Sequence, residues 1–137
     1  MPVRALEDLK FALVKTAIVG TSCTKGKALK VTADEPMTMT DCSVGESADA
    51  IALETQTTAG KPCQVVMLAG ACIIKVLVGT GGATRGKYAK VVSDGLTDVG
   101  TLGGGTTLAE VVGKFLQSGA AGEYVGMIPA SFSGVKA

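Results

Sequence analysis

The amino-acid sequence predicts an all-β protein, a compact small β-barrel or sandwich built from two tandem half-repeats. Three observations lead to this prediction. Nineteen of the 137 residues are glycine, which suits many short elements joined by tight turns. Hydrophobic residues make up 47% of the chain but aromatic residues only 4%, so the core must consist mainly of aliphatic side chains. The third observation is that the chain contains nearly the same line of sequence twice.

The repeat is clearest where residues 24–34 read TKGKALKVTAD and residues 84–94 read TRGKYAKVVSD. A fainter match places residues 53–67 against residues 115–129, with an Ala-Gly pair in both. Internal repeats of this kind indicate one structural unit that occurs twice.

The repeat divides the chain into an N-terminal arm, residues 1–13, and half-repeats of about 15–74 and 75–137 within a single β domain that covers 14–137. A half of this size would be marginally stable alone, so the two are predicted to close one shared core. A hairpin at 63–78, CQVVMLAGACIIKVLV, is predicted to form the seam between them.

Each half is predicted to contain four strands in the same order. An apolar strand leads through a loop and a Lys-Gly-Lys or Arg-Gly-Lys turn into a second strand, which ends at an aspartate that suits a turn. A variable connection precedes the third strand, and an Ala-Gly turn precedes the fourth. Such short strands suit a small barrel or sandwich. The predicted strands are 14–19, 28–32, 50–54 and 63–68 in the first half, and 73–78, 88–92, 112–117 and 124–128 in the second.

One segment carries a competing helical pattern. In TTLAEVVGKFLQ the apolar residues recur at helical spacing, and Thr107 with Glu110 forms a capping-box pattern. The prediction therefore allows at most one short helix, near 107–113, and follows the repeat from Val112 onward.

The charge balance does not indicate a nucleic-acid partner, because 13 basic and 12 acidic residues give a net charge of +1. Residues 1–30 carry six basic side chains, whereas residues 31–60 carry six carboxylates and no basic residue. We interpret these segments as two solvated faces. The alternative is that complementary patches set the register between copies in an assembly.

Catalytic and metal-binding chemistry finds little support in the residue types. The chain has no histidine, the usual acid–base group near neutral pH and the commonest metal ligand. No C-x-x-C pair is present, so we expect no structural zinc but small buried thiols in a reducing compartment. Carboxylates such as Asp41 and Glu46 are expected in a solvated loop. The cysteines are Cys23, Cys42, Cys63 and Cys72.

The segment GGATRGK, from Gly81 to Lys87, fits the phosphate-binding pattern G-x-x-x-x-G-K. Tyr88 stands where that motif needs a Ser or Thr for magnesium, and YAKVVSD alternates as a strand does. We therefore predict a β-turn, with a small nucleotide-binding enzyme as the weakest alternative. A biotinyl or lipoyl carrier domain is disfavoured because no lysine has the expected sequence setting.

No secretion signal or membrane span is predicted. The apolar stretch FALVKTAIVG is interrupted by Lys15, and no cleavage site follows it. The run 65–78 contains Lys75 and is too short to cross a bilayer. We therefore expect a soluble protein that is intracellular when made.

Several motifs follow one another in a characteristic order: AIALE at 50–54, the pair Ala59 and Gly60, and GATRG at 82–86 leading to the pair Asp94 and Gly95. This order resembles a family of small tailed-phage capsid decoration (cement) proteins. The resemblance covers roughly residues 45–130.

The resemblance implies a β-rich structural protein, often a homotrimer, that binds the major capsid protein on the exterior of the virion head after synthesis in the host cytoplasm. It implies no enzyme activity and no catalytic residue, cofactor, metal, nucleic-acid partner or membrane partner. Within the arm, Leu6, Leu9 and Phe11 are candidate contact residues, each expected to contribute about 1.5–3 kcal/mol when buried on a partner. The alternative is another phage or bacterial assembly module, such as a fibre base or an adaptor.

Overall fold

The part of the chain that the structure describes forms ten β-strands arranged in two five-stranded sheets. A computed structural model describes residues 5–44, 46–69, 72–99 and 111–129. Within those ranges the regular secondary structure consists of β-strands alone, which confirms the all-β prediction. In chain order they are β1 (Val14–Val19), β2 (Ala28–Asp34), β3 (Met37–Asp41), β4 (Ala50–Ala52), β5 (Pro62–Met67), β6 (Ile74–Leu77), β7 (Tyr88–Val92), β8 (Gly95–Asp98), β9 (Val111–Phe115) and β10 (Tyr124–Pro129).

All eight strands predicted from the sequence are present, with ends that shift by at most two residues. The sequence prediction missed β3 and β8, because it treated the aspartates near the ends of β2 and β7 as entries into loops. The helical alternative at 107–113 is wrong for residues 111–113, which belong to β9, while 107–110 lie outside the described residues. Val111 and Val112 are buried in β9, and β-branched residues favour this extended conformation.

The strands of the first half close into a barrel in the order β1-β3-β2-β4-β5. Four antiparallel pairings form most of this barrel. Closure comes from a parallel pairing of β1 with β3, in which Ile18 lies opposite Thr38 and Val19 lies opposite Met39.

The strands of the second half follow the same plan in the order β6-β10-β9-β7-β8. When β1 to β5 are matched with β6 to β10, every antiparallel pairing of the first half recurs in the second. The closing parallel contact is reduced to a single bridge between Val78 and Leu96. The two half-repeats are therefore the same five-strand unit, closed more completely in the first half.

The repeated TKGK and TRGK lines form equivalent turns. The Lys27 N–H donates to the carbonyl of Thr24 at 2.9 Å, and the Lys87 N–H donates to the carbonyl of Thr84 at 3.0 Å. The glycine between them has φ of 83° in the first half and 89° in the second, a conformation that glycine adopts without steric cost. The lysine leads into a strand in both halves, so GGATRGK does not have the loop-to-helix geometry of a phosphate-binding motif.

An aspartate at the end of the following hairpin holds each turn in place. The N–H and hydroxyl of Thr24 both donate to the Asp41 carboxylate, each at 2.9 Å. The N–H of Thr84 donates to the Asp98 carboxylate at 2.8 Å. The repeated sequence thus encodes a turn that is fastened to its neighbouring hairpin.

Two clusters of buried apolar side chains fill the interior. The larger one is shared, with Ile51 and Val66 from the first half packed with Val76 and Phe115 from the second. The smaller one lies within the closed barrel of the first half and includes Leu29. The halves therefore have one core in common, and the first half has a second core of its own.

The hairpin predicted at 63–78 is wrong. β5 pairs with β1 and β4, whereas β6 pairs with β10, so these consecutive strands belong to different sheets. Each five-strand unit places its last strand beside its own first strand. That arrangement occupies the edge of β5 that a hairpin with β6 would need.

Candidate partner-binding surface

The thiols are held in the interior in their protonated form. Cys23 and Cys63 are fully buried in the first-half barrel. Burial raises the pKa of Cys23 to about 12, and it raises the pKa of the partly buried Cys42 to about 12 as well. Such thiols are weak nucleophiles at neutral pH. In the part of the chain that the structure describes, no group of three or more cysteines and carboxylates could hold a metal ion.

The carboxylates Asp41 and Glu46 have separate structural roles. Asp41 holds the turn at Thr24. Glu46 forms an ion pair with Lys30 and accepts the N–H of Ser43 at 2.7 Å. The hydrogen bond from Lys30 lowers the pKa of Glu46 below its usual value. Each carboxylate is thus assigned to a local contact that stabilises a loop.

The N-terminal segment, residues 5–13, lies across the folded body and links its two halves. Asp8 and Ile73 exchange backbone hydrogen bonds of 2.9 and 2.8 Å, which adds a short stretch of chain to the edge of the second sheet. Farther along, the carbonyl of Leu13 accepts the N–H of Met67 in β5 at 2.9 Å. The segment is therefore attached to both halves.

Gln117 and Gly126 contact the N-terminal segment at Leu6 and fix its position. The side-chain oxygen of Gln117 accepts the N–H of Leu6 at 2.8 Å and that of Gly126 at 2.9 Å. A Cβ at Gly126 would lie 2.8 Å from Leu6 Cβ and 2.9 Å from the Leu6 carbonyl oxygen. Both separations are too short, so a larger residue at Gly126 would displace the segment.

The three contact residues predicted from the sequence occupy different environments. Leu9 is partly buried and packs against the core that the two halves share. Leu6 is 47% exposed and Phe11 is 69% exposed. Leu9 therefore anchors the segment to its own body, while Leu6 and Phe11 are accessible to solvent. The binding of these residues to a partner stays a prediction.

Further apolar side chains are exposed beside this segment. Leu13 ends the segment, Val14 follows it directly, and Ile128 lies on β10, each more than two-fifths exposed. Val14 and Ile128 both lie in strands predicted from the sequence, but an apolar residue in a strand does not by itself reveal which face it occupies. A surface pocket of about 260 Å³ lies beside the N-terminal segment and is lined by Asp8, Cys72, Ile73 and Ile128. No helix among the described residues is long and apolar enough to cross a membrane.

Comparison with known proteins yields a similarity in fold. No protein-family model matches the chain, and no curated protein matches it either. A similar solved structure is the N base of the head fibre protein gp8.5 of bacteriophage phi29, with a TM-score of 0.67 and 16% sequence identity. The match covers 87% of this chain and 94% of that chain. This chain is thus similar in fold to the base of a phage head fibre.

Proposed function

We propose that this protein is a structural component of a tailed-phage virion, carried on the outside of the head as a decoration (cement) protein. The observation that carries the proposal is the fold similarity to the phi29 head fibre base, which extends over nearly all of both chains. The sequence motifs at 50–54 and 82–86 support the same class of protein through their resemblance to decoration proteins.

The arrangement of the molecule suits such a role. The N-terminal segment is fastened at Asp8 and at Gln117, which presents Leu6 and Phe11 on a rigid body. A homotrimer with several such surfaces would hold neighbouring capsid subunits jointly. Modest individual contacts with the major capsid protein would then be sufficient, since detachment must break them together.

A second candidate function is the base of a head fibre. It is favoured by the similarity to the N base of the phi29 head fibre, a chain of which 94% is covered. The two functions differ in one measurable respect. A cement protein makes the capsid more resistant to disruption, whereas a fibre base binds the head without raising that resistance.

Heads that lack this protein, incubated with the purified chain, test both functions. Saturable binding together with heads that survive higher temperature supports the cement function. Saturable binding with unchanged heat resistance supports the fibre base. Absence of binding at micromolar concentration contradicts both. Native mass spectrometry of the free protein checks the expected homotrimer.

The contact role of the exposed N-terminal residues is tested with Phe11→Ala. Burial of Phe11 on the head would contribute about 1.5–3 kcal/mol, so the substitution should weaken binding by at least about tenfold. Its thermal midpoint should stay close to that of the wild type because Phe11 is 69% exposed. Val44→Ala is the matched control, since Val44 is 62% exposed and lies outside the segment. Equal binding by both variants and the wild type would show that Phe11 does not contact the head.

A further inference from the structure

The two halves differ in what covers the outer edge of their first strand. On the second half, Asp8 pairs with Ile73, and the carbonyl of Gly26 accepts the N–H of Leu77 at 3.0 Å. On the first half, the edge of β1 meets β3 only from Ile18 onward. No other described strand pairs with β1 on that side.

One uncovered position of β1 corresponds to a position beside β6 that the N-terminal segment covers. Val19 and Val78 each donate their backbone N–H to the residue that precedes β5 or β10, at 2.9 and 2.8 Å. This shared contact relates the two strands by an offset of 59 residues. Val14 in β1 therefore corresponds to Ile73, the residue that Asp8 covers in the second half.

Backbone directions show which groups of β1 are available. Alternate residues of an antiparallel strand direct their N–H and C=O to the same neighbour. The Leu13 carbonyl accepts the N–H of Met67 in β5, and the Val19 N–H donates to the carbonyl of Lys61, just before β5. The Gly20 N–H instead donates to the carbonyl of Met39 in β3. Val14 and Thr16 therefore direct their backbone groups to the uncovered side. Residues 14–16 are all exposed, and we refer to them as the 14–16 edge.

The charge at this edge selects among possible occupants. Suppose that this edge paired antiparallel with the same edge of a second copy, with Val14 opposite Thr16 of the copy. Lys15 would then lie opposite Lys15 of the copy. Like charges that lie directly opposite destabilise a sheet, and edge lysines are a common guard against self-pairing. Residues 9–33 contain no carboxylate, and the described residues show no ion pair to Lys15. An incoming strand with a carboxylate opposite Lys15 would supply the missing charge.

We propose that the 14–16 edge of β1 receives an extended, acidic segment of a neighbouring head subunit by β-strand addition. The inference rests on the proposed function as a head protein. Asp8 supplies a precedent within the chain, since an acidic segment already lies antiparallel to the equivalent position of β6. Backbone hydrogen bonds hold the added strand, and Lys15 favours an acidic sequence.

Thr16→Pro tests the edge directly. The Thr16 N–H points away from β5, so proline removes the donor for an added strand and spares the bonds within the barrel. Proline is tolerated at such edge positions. Thr16→Val keeps the N–H and is the matched control. Binding to heads that lack the protein should fall about tenfold or more for Thr16→Pro, and should change less than about twofold for Thr16→Val.

Lys15→Glu and Lys15→Gln form a second pair that does not disturb the backbone. The acidic variant should bind heads more weakly than the neutral one, by about fivefold, because it repels an acidic strand. Hydrogen exchange of the free protein, in the oligomeric state that it has in solution, supplies an independent measurement. The Thr16 amide should exchange much faster than the Ala17 amide, which faces β5.

The possible failures can be told apart. If the wild-type chain does not bind heads, the proposed function and the edge inference both fail. If the wild type binds, and Thr16→Pro binds as well as Thr16→Val, only the edge inference fails. Equal binding by the two Lys15 variants, or a protected Thr16 amide in the free protein, also overturns it.

Discussion

The two halves share one strand order, but they complete it by different means. The first half closes as a barrel through two registered pairs between β1 and β3, and the second reaches only a single bridge between Val78 and Leu96. The hairpin that brings the closing strand explains the difference. It spans 14 residues at 28–41 in the first half and 11 residues at 88–98 in the second. Hairpin length, rather than strand pattern, therefore decides how fully each unit closes.

Specific contacts compensate for the weaker closure of the second half. Gly95 lies against the backbone of β6, and the hydroxyl of the buried Thr97 donates to the carbonyl of Gly82 at 2.7 Å. Asp94 accepts both the N–H and the hydroxyl of Thr80. The N-terminal segment then covers the β6 edge at Ile73. Several local contacts in the second half thus do what ladder pairing does in the first.

The largest effect is expected for Phe115→Ala, because Phe115 is fully buried in the shared core. We expect the free energy of unfolding to fall by about 3–5 kcal/mol. Tyr88 and Tyr124 lie in the second half, and the Tyr124 ring also lies beside Lys25 of the first half. Tyrosine fluorescence therefore reports the second half and its contact with the first, while circular dichroism reports both halves. The two signals should shift together in urea. A fluorescence transition that moves alone would show that the halves unfold independently.

Gly95→Ala should selectively disturb the closure of the second half. A Cβ there would lie 2.6 Å from the Leu77 carbonyl oxygen and 2.7 Å from the Gly79 nitrogen, and backbone atoms cannot move aside easily. The expected loss of stability in urea unfolding is about 2–3 kcal/mol. Gly60→Ala is the control, since no atom lies within 4 Å of its Cβ and only its positive φ is strained, at about 1–2 kcal/mol. A cost for Gly95→Ala below that of the control would contradict the packing argument.

The turn-holding aspartates should differ in importance. Asp41 accepts hydrogen bonds from Thr24 N–H, Thr24 hydroxyl and Ser22 hydroxyl, whereas the described residues give Asp98 one, from Thr84 N–H. Asp41→Ala should therefore destabilise the protein by about 1–3 kcal/mol, and Asp98→Ala by about 0.5–1.5 kcal/mol. Thermal unfolding of the two variants side by side measures the difference. A larger loss of stability for Asp98→Ala than for Asp41→Ala would show that the first-half turn does not depend on its hydrogen bonds to Asp41.

The smallest effect is expected for the loss of stability at acidic pH. The hydrogen bonds from Thr80 lower the pKa of Asp94 below its usual 3.8. The stabilisation from this contact is therefore present above the unfolded-state pKa and is lost as the pH falls through the folded-state pKa. Asp34, which the repeat aligns with Asp94, receives no such hydrogen bond from a threonine in the described part of the first half. NMR titration should show the Asp94 pKa shift back toward its usual value in Thr80→Val, which removes the hydroxyl and keeps the N–H, and an unchanged pKa would exclude the Thr80 hydroxyl as the main cause.

Part of the candidate surface could be predicted from the sequence, and the reason is local. Leu6 and Phe11 precede the repeat, so an unusual role for them was foreseeable, and both are exposed. Leu9 belongs to the same stretch, yet it packs against the shared core. Its burial depends on Asp8 meeting Ile73, a contact between residues 65 positions apart. Sequence spacing carries no information on such a meeting.

The sequence by itself determined eight of the ten described strands, the turns and the repeat, since alternation and turn chemistry act between residues that are close along the chain. Tertiary structure alone decided that β5 and β6 separate into different sheets and that the first half closes further than the second. It also decided that no strand of the described residues pairs with Val14 and Thr16 on the side away from β5. These outcomes depend on which distant strands arrive beside one another. That is set by hairpin length and by the closure of each five-strand unit, and no short stretch of sequence specifies it.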